Sequence, residues 1–101
     1  MVLTQNFSKD LKAKIIVRGR VQMVGFRYFV LQKALSLGIK GSVRNLSDGS
    51  VEVIALGEKE FFLDFLKELK QGPPGARVSE TVMMDYEAPS KLPEGFRIEY
   101  R

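Results

Sequence analysis

The chain contains no cysteine and no histidine. Without cysteine there is no disulfide framework and no thiol nucleophile, and the composition is compatible with a reducing cytosol. Lacking both residues also removes the commonest zinc ligands and the usual proton shuttle near neutral pH. Any chemistry must therefore run on other groups, and no metal or cofactor is expected. No apolar run is long enough to span a bilayer, and residues 1–12 hold too many polar side chains for a signal peptide's apolar core. Charge of one sign is also scarce: 16 Lys plus Arg against 12 Asp plus Glu leave a net charge of +4, which favours anionic partners only mildly. A cytoplasmic monomer with no membrane partner is the expectation. At 101 residues the chain can bury one core without metals or disulfides.

What is present is a regular alternation of apolar patterns. Residues 1–12 show no period and read as a loosely held tail, leaving residues 13–101 as the domain. Over residues 13–21, Ile15, Val17, Gly19 and Val21 share one side of a strand and Ile16, Arg18 and Arg20 the other. Phe26, Phe29, Val30, Ala34 and Leu37 then fall at helical spacing, and Gly38 suits the left-handed position that ends a helix. Residues 39–46 and 51–56 read as strands joined by a hairpin on the Asp48-Gly49 signal. Glu58 and Glu60 open a second helix, Phe61, Phe62, Phe65, Leu66 and Leu69 supply its apolar stripe, and Gly72-Pro73-Pro74-Gly75 ends it. Residues 77–87 suggest a fourth strand with Val78, Val82, Met84 and Tyr86 on one face. After a Pro-bearing loop over residues 88–95, the alternation Phe96, Ile98, Tyr100 reads as a short closing strand.

This order is that of an α+β, ferredoxin-like β-α-β-β-α-β sandwich: an antiparallel sheet with two helices on one face and a short C-terminal extra strand. In its β-α-β unit the first two strands run the same way. The turn after the first strand and the end of the second, where Asn45 stands, therefore lie at one edge of the sheet. Ile39, Gly41, Val43 and Asn45 share a side, and the apolar members place that side toward the helices.

The turn itself reads Gly19-Arg20-Val21-Gln22-Met23-Val24-Gly25-Phe26-Arg27. N–H groups left unpaired at a helix's first turn, with the positive end of its dipole, form a ready anion site, and Arg27 adds a planar fork of donors. Taken alone, the spacing favours a tight turn with a solvated arginine over an anion site, and Asn45 fits a residue ending a strand before a turn at least as well.

Taken together, the two segments resemble the acylphosphatase family. The turn is similar to that family's phosphate-binding signature, whose usual form has Gly at the position of Met23. Gly41-Ser42-Val43-Arg44-Asn45, followed by Gly49, Val51 and Gly57, is similar to its second signature, which normally carries an aromatic at the position of Ser42. Gly72-Pro73-Pro74 and Phe96-x-Ile98-x-Tyr100 also look like family features. The resemblance implies metal-independent hydrolysis of the carboxyl–phosphate bond of acyl phosphates. It implies that Arg27 binds the phosphate together with backbone N–H groups of Gln22, Met23, Val24, Gly25, Phe26 and Arg27, and that Asn45 orients the attacking water. Such a division is chemically coherent, because arginine stays protonated and a neutral amide is no useful base. The substrate's own phosphate oxygen is then the acceptor of the water's proton, and the protein supplies position and electrostatics.

Met23 is the chief departure. A loop wrapped around an anion often needs positive φ, which glycine permits and methionine resists. Either Met23 keeps ordinary φ with its side chain over the pocket rim, or the cradle is distorted; the expectation is a working loop with altered substrate access or reduced affinity. The first alternative function is an acylphosphatase-like phosphate- or ligand-binding domain with weak or no activity. The second, nucleic-acid binding, would use Arg18, Arg20, Lys40 and Arg44 on the helix-free face. It is disfavoured because the third strand presents Glu52, Ile54 and Leu56 there instead of stacking aromatics.

Overall fold

The computed structural model describes residues 10–86 and 94–100, and the first element among them is a long strand, β1 (Asp10–Arg20). It is followed by α1 (Phe26–Leu37), β2 (Lys40–Asn45), β3 (Val51–Glu58), α2 (Lys59–Gln71), β4 (Arg77–Met84) and β5 (Phe96–Glu99). Pairing to β3 carries β1 back to Asp10, opposite Glu58, three residues earlier than its hydrophobic pattern suggests. Residues 1–9, most of the expected tail, lie outside the described residues, as do residues 87–93, which hold the end of the expected fourth strand and most of the Pro-bearing loop. No helix among the described residues is long and apolar enough to cross a membrane.

The strand order is β4-β1-β3-β2-β5. The three pairings among β1 to β4 follow the antiparallel expectation, but β5 lies parallel to β2, so the sheet is mixed rather than wholly antiparallel. A four-residue alternation carries no signal for direction. What fixes β5 is burial: Phe96 pairs with Gly41, enters the core at 7% exposure, and meets the ring of Phe65 edge-on at 6.2 Å.

The helices cover one face. α1 buries Phe26, Val30 and Ala34, and α2 buries Phe62, Phe65 and Leu69, against Ile15, Val17, Val43, Val51 and Val53 of the sheet. Burying each of these Val, Ile, Leu and Phe side chains contributes about 1.5–3 kcal/mol, so this layer is what holds the loops in place. Phe61, expected in the stripe, is instead 42% exposed, because a stripe of Phe62, Phe65 and Leu69 already spans the width that faces the sheet.

Register explains a second difference. Lys14 pairs with Met84, Ile16 with Val82 and Arg18 with Glu80, but Gly19 pairs with Val78, leaving one extra residue in β4. That bulge reverses the parity of β4. Val78 therefore packs against the core, while Val82 and Met84 lie on the open face, rather than all sharing one side. Gly19 sits at the irregularity with φ 125°, and a Cβ there would lie 2.1 Å from the Arg77 carbonyl oxygen.

The helix-free face is knit by charge. Glu52, only 9% exposed, accepts from Arg44 Nε at 2.8 Å and lies 3.6 Å from Lys14 Nζ, so that one carboxylate ties β3 to both of its neighbours. The Glu52 carboxylate also holds the Arg44 guanidinium protonated beyond its already high ordinary value. With Glu52, Ile54 and Leu56 filling β3's open positions, the aromatic platform needed to stack bases is missing from the central strand.

Candidate functional site

β1 ends at Arg20, and residues 21–25 turn the chain into α1. Gly25 occupies the N-cap at φ 76° and ψ 21°, with no side-chain hydrogen bond capping the helix and no acidic residue in its first turn. Within the helix, the first N–H to reach back is that of Phe29, which donates to the Gly25 carbonyl at 3.0 Å. The N–H groups ahead of it lack helical acceptors and point out of the N-terminus together with the positive end of the dipole. A Ser or Asp at the cap would have claimed one of those donors; Gly25 has no side chain to do so.

Met23 is the sole non-glycine residue with positive φ among the described residues, at 65°. The expected alternative of ordinary φ does not hold. The methionine itself adopts the left-handed conformation that a glycine would take there, at a cost of about 1–2 kcal/mol. The side chain gains nothing from folding in return: it is 99% exposed, the most exposed of the large apolar residues.

Asn45 reaches the same edge from the other strand. It pairs with Val51, which also pairs with Val17, so Val17, Val51 and Asn45 form one row across the sheet directly beneath the turn. The row's helix-facing parity agrees with the buried Val17 and Val51. In β5, Ile98 pairs with Val43, which carries Tyr100, two residues on, alongside Asn45. A cleft of about 210 Å³ is lined by Val21, Met23, Gly25, Phe26, Arg27, Tyr28, Asn45, Ile98 and Tyr100. The structure thus brings Arg27 and Asn45 to one cavity.

Of the remaining loop residues expected to bind, Met23, Gly25 and Phe26 line the cleft, whereas Val24 packs against the core. Gln22 has a part that its backbone alone does not reveal. Its side-chain Nε2 donates to the carbonyl oxygens of Leu46 at 2.8 Å and Ser50 at 2.9 Å. Both N–H bonds of the amide are spent on tying the turn to the β2–β3 hairpin, and Leu46 directly follows Asn45. The hairpin is closed by Leu46 N–H donating to Ser50 O at 2.8 Å and by Asp48 Oδ1, which accepts from the Ser50 N–H at 2.9 Å and from its hydroxyl. Those two Ser50 donors, the hydroxyl above all, hold the Asp48 carboxyl below its ordinary value. Asp48 is accordingly a turn residue.

Tyr100 is the functional neighbour that its pattern only half disclosed. Its place on the alternating face was legible, but its ring lies under the Arg27 guanidinium, 4.8 Å from centroid to Cζ. This is cation–π distance, a contact that uses the face of a guanidinium rather than the donors at its edge. No group of three or more His, Cys, Asp or Glu side chains that could hold a metal ion occurs among the described residues.

Comparison with known proteins agrees with this geometry. A profile of the family described as Acylphosphatase matches residues 13–98. An acylphosphatase of Thermus thermophilus is 57% identical over 63 residues, 62% of this chain and 72% of the relative. One of Koribacter versatilis is 46% identical over 86 residues, 85% of this chain and 77% of the relative. The crystal structure of an acylphosphatase from Bacillus subtilis superposes with a TM-score of 0.82 at 36% identity, over 88% of this chain and 98% of that one.

Proposed function

The chain belongs to the acylphosphatase family and hydrolyses acyl phosphates, and from that premise we propose that Arg27 and Asn45 are the residues that carry the reaction. One observation carries the assignment: the two side chains, from different elements, line one cleft at the uncapped N-terminus of α1.

In this reading the phosphoryl oxygens sit against the free N–H groups of the turn and the first turn of α1, with the Arg27 fork closing on them. Asn45 holds a water in line with the scissile P–O bond, its amide oxygen accepting from the water. As the water oxygen bonds to phosphorus, the bond to the carboxyl oxygen breaks and its electron pair leaves with the carboxylate. The water's proton passes to a phosphoryl oxygen of the substrate, since neither arginine nor amide can take it. Acyl phosphate and water thus become carboxylate and dihydrogen phosphate with charge conserved. The leaving carboxylate is a weak base and needs no general acid. The work left to the protein is alignment and stabilisation of charge on the equatorial oxygens.

A ligand-binding domain without activity is not favoured. It rested on Met23 distorting the cradle, and Met23 follows the left-handed path that a glycine would take. The absence of cysteine fits a cytoplasmic setting.

The test is hydrolysis of benzoyl phosphate. Arg27→Ala should lower kcat/KM by at least about a thousandfold and abolish inhibition by inorganic phosphate. Asn45→Ala should lower kcat by at least about a hundredfold while leaving phosphate inhibition within a fewfold of wild type. Wild-type turnover in either variant, with circular dichroism showing the fold intact, overturns the assignment.

A further inference from the structure

We propose that Met23, with Tyr28 and Tyr100, forms an apolar rim that grips the acyl group of the substrate and selects acyl phosphates whose carboxylic acid part is uncharged and apolar. This rests on placing the phosphoryl group against Arg27 and the turn. With that end held at the helix N-terminus, the acyl group must extend toward the mouth of the cleft. There it meets Met23, Tyr28 and Tyr100, which are 99%, 61% and 74% exposed.

The rim is poor in anything else. Arg27 is the one cation lining the cleft among the described residues, and the transferring phosphoryl group already occupies it. A second phosphate or carboxylate on the acyl side would therefore enter without a counter-charge, beside an apolar surface, which is unfavourable. An aromatic or aliphatic acyl group would instead remove apolar area of both partners from water.

Met23 is the residue most clearly placed for this. Its backbone is held in a conformation that disfavours any side chain, and its side chain contributes no burial to the fold. A flexible thioether chain at the mouth of a cleft adapts to ligands of varied shape. Bound acyl groups are what it can cover.

The test compares kcat/KM for benzoyl phosphate with that for acetyl phosphate in wild type, Met23→Gln, Met23→Gly and Met23→Leu. Glutamine keeps the length of methionine and its resistance to positive φ but loses the apolarity; glycine relieves the backbone and removes the side chain. The benzoyl-to-acetyl ratio is expected to fall about five- to tenfold in both, the size set by part of an exposed methionine leaving water, and to stay within about twofold of wild type in Met23→Leu. A ratio unchanged in Met23→Gln, in an enzyme that loses activity on Arg27→Ala, overturns the rim alone. Activity that survives Arg27→Ala on both substrates overturns the placement of the phosphoryl group and the rim with it.

Discussion

The guanidinium of Arg27 and the ring of Tyr100 stack at 4.8 Å, joining the first turn of α1 to the residue after β5. An arginine side chain has many rotamers, and an anion site is useful only if the fork waits in the right one. The ring restricts that choice, which, under the proposed assignment of Arg27 to the phosphoryl group, is preorganisation in the sense that matters for phosphoryl transfer.

Replacing Tyr100 by Ala should therefore lower kcat/KM by about two- to fivefold, the value of an exposed cation–π contact, while Tyr100→Phe keeps near wild-type activity. Steady-state kinetics on an acyl phosphate check this. Equal losses in the Ala and Phe variants would point to the hydroxyl rather than the ring face.

Gln22 gives a different expectation, because its side chain touches backbone rather than cleft. Gln22→Leu loses two hydrogen bonds, although both carbonyls keep a backbone donor from the hairpin. Stability should fall by about 1–2 kcal/mol in urea unfolding. The activity loss should exceed what unfolding explains and be larger in kcat than in KM, since the hairpin that carries Asn45 is no longer tied to the turn. Gln22→Glu should be at least as damaging, because a carboxylate faces two carbonyl oxygens that it cannot donate to.

The pH dependence of stability has a signed contribution from the hairpin. The Asp48 carboxyl is held below its ordinary value, mainly by the Ser50 hydroxyl and then by the Ser50 N–H. The folded state thus binds fewer protons than the unfolded state as the pH falls into the carboxylate range. The stabilisation is present above the ordinary aspartate value and is lost as pH drops through the lower, folded one. Thermal unfolding of wild type and Asp48→Asn should differ most above the ordinary aspartate range, and the difference should shrink as pH falls below that range.

How much of this could be read from the chain depends on which physical signal each residue leaves. Arg27 and Asn45 were legible because strand parity and the β-α-β direction together fix the edge and the side on which they stand. The first four strands and the two helices were legible from alternation and helical period. Val78 was misassigned because a bulge adds a residue without any mark in the hydrophobic pattern, and parity reverses beyond it. The direction of β5 was not legible, since pairing sense belongs to the sheet rather than to the strand. At Met23 the left-handed backbone could not be foreseen, because the residue type argues against it and only the surrounding turn requires it. Gln22 was expected to act through its N–H, and its side-chain bonds depend on how far the hairpin bends toward the turn.

The parallel docking of β5 has a consequence for the order in which this protein becomes competent. Every element up to β4 precedes Phe96 in the chain, and the residues up to that point supply all of the core except Phe96 and the Ile98 packed against it. Ile98 and Tyr100, which wall one side of the cleft, arrive afterwards. A truncated polypeptide ending before that point would keep Arg27 on α1 and Asn45 on β2 and yet present an open trough, so that catalytic readiness trails the acquisition of shape.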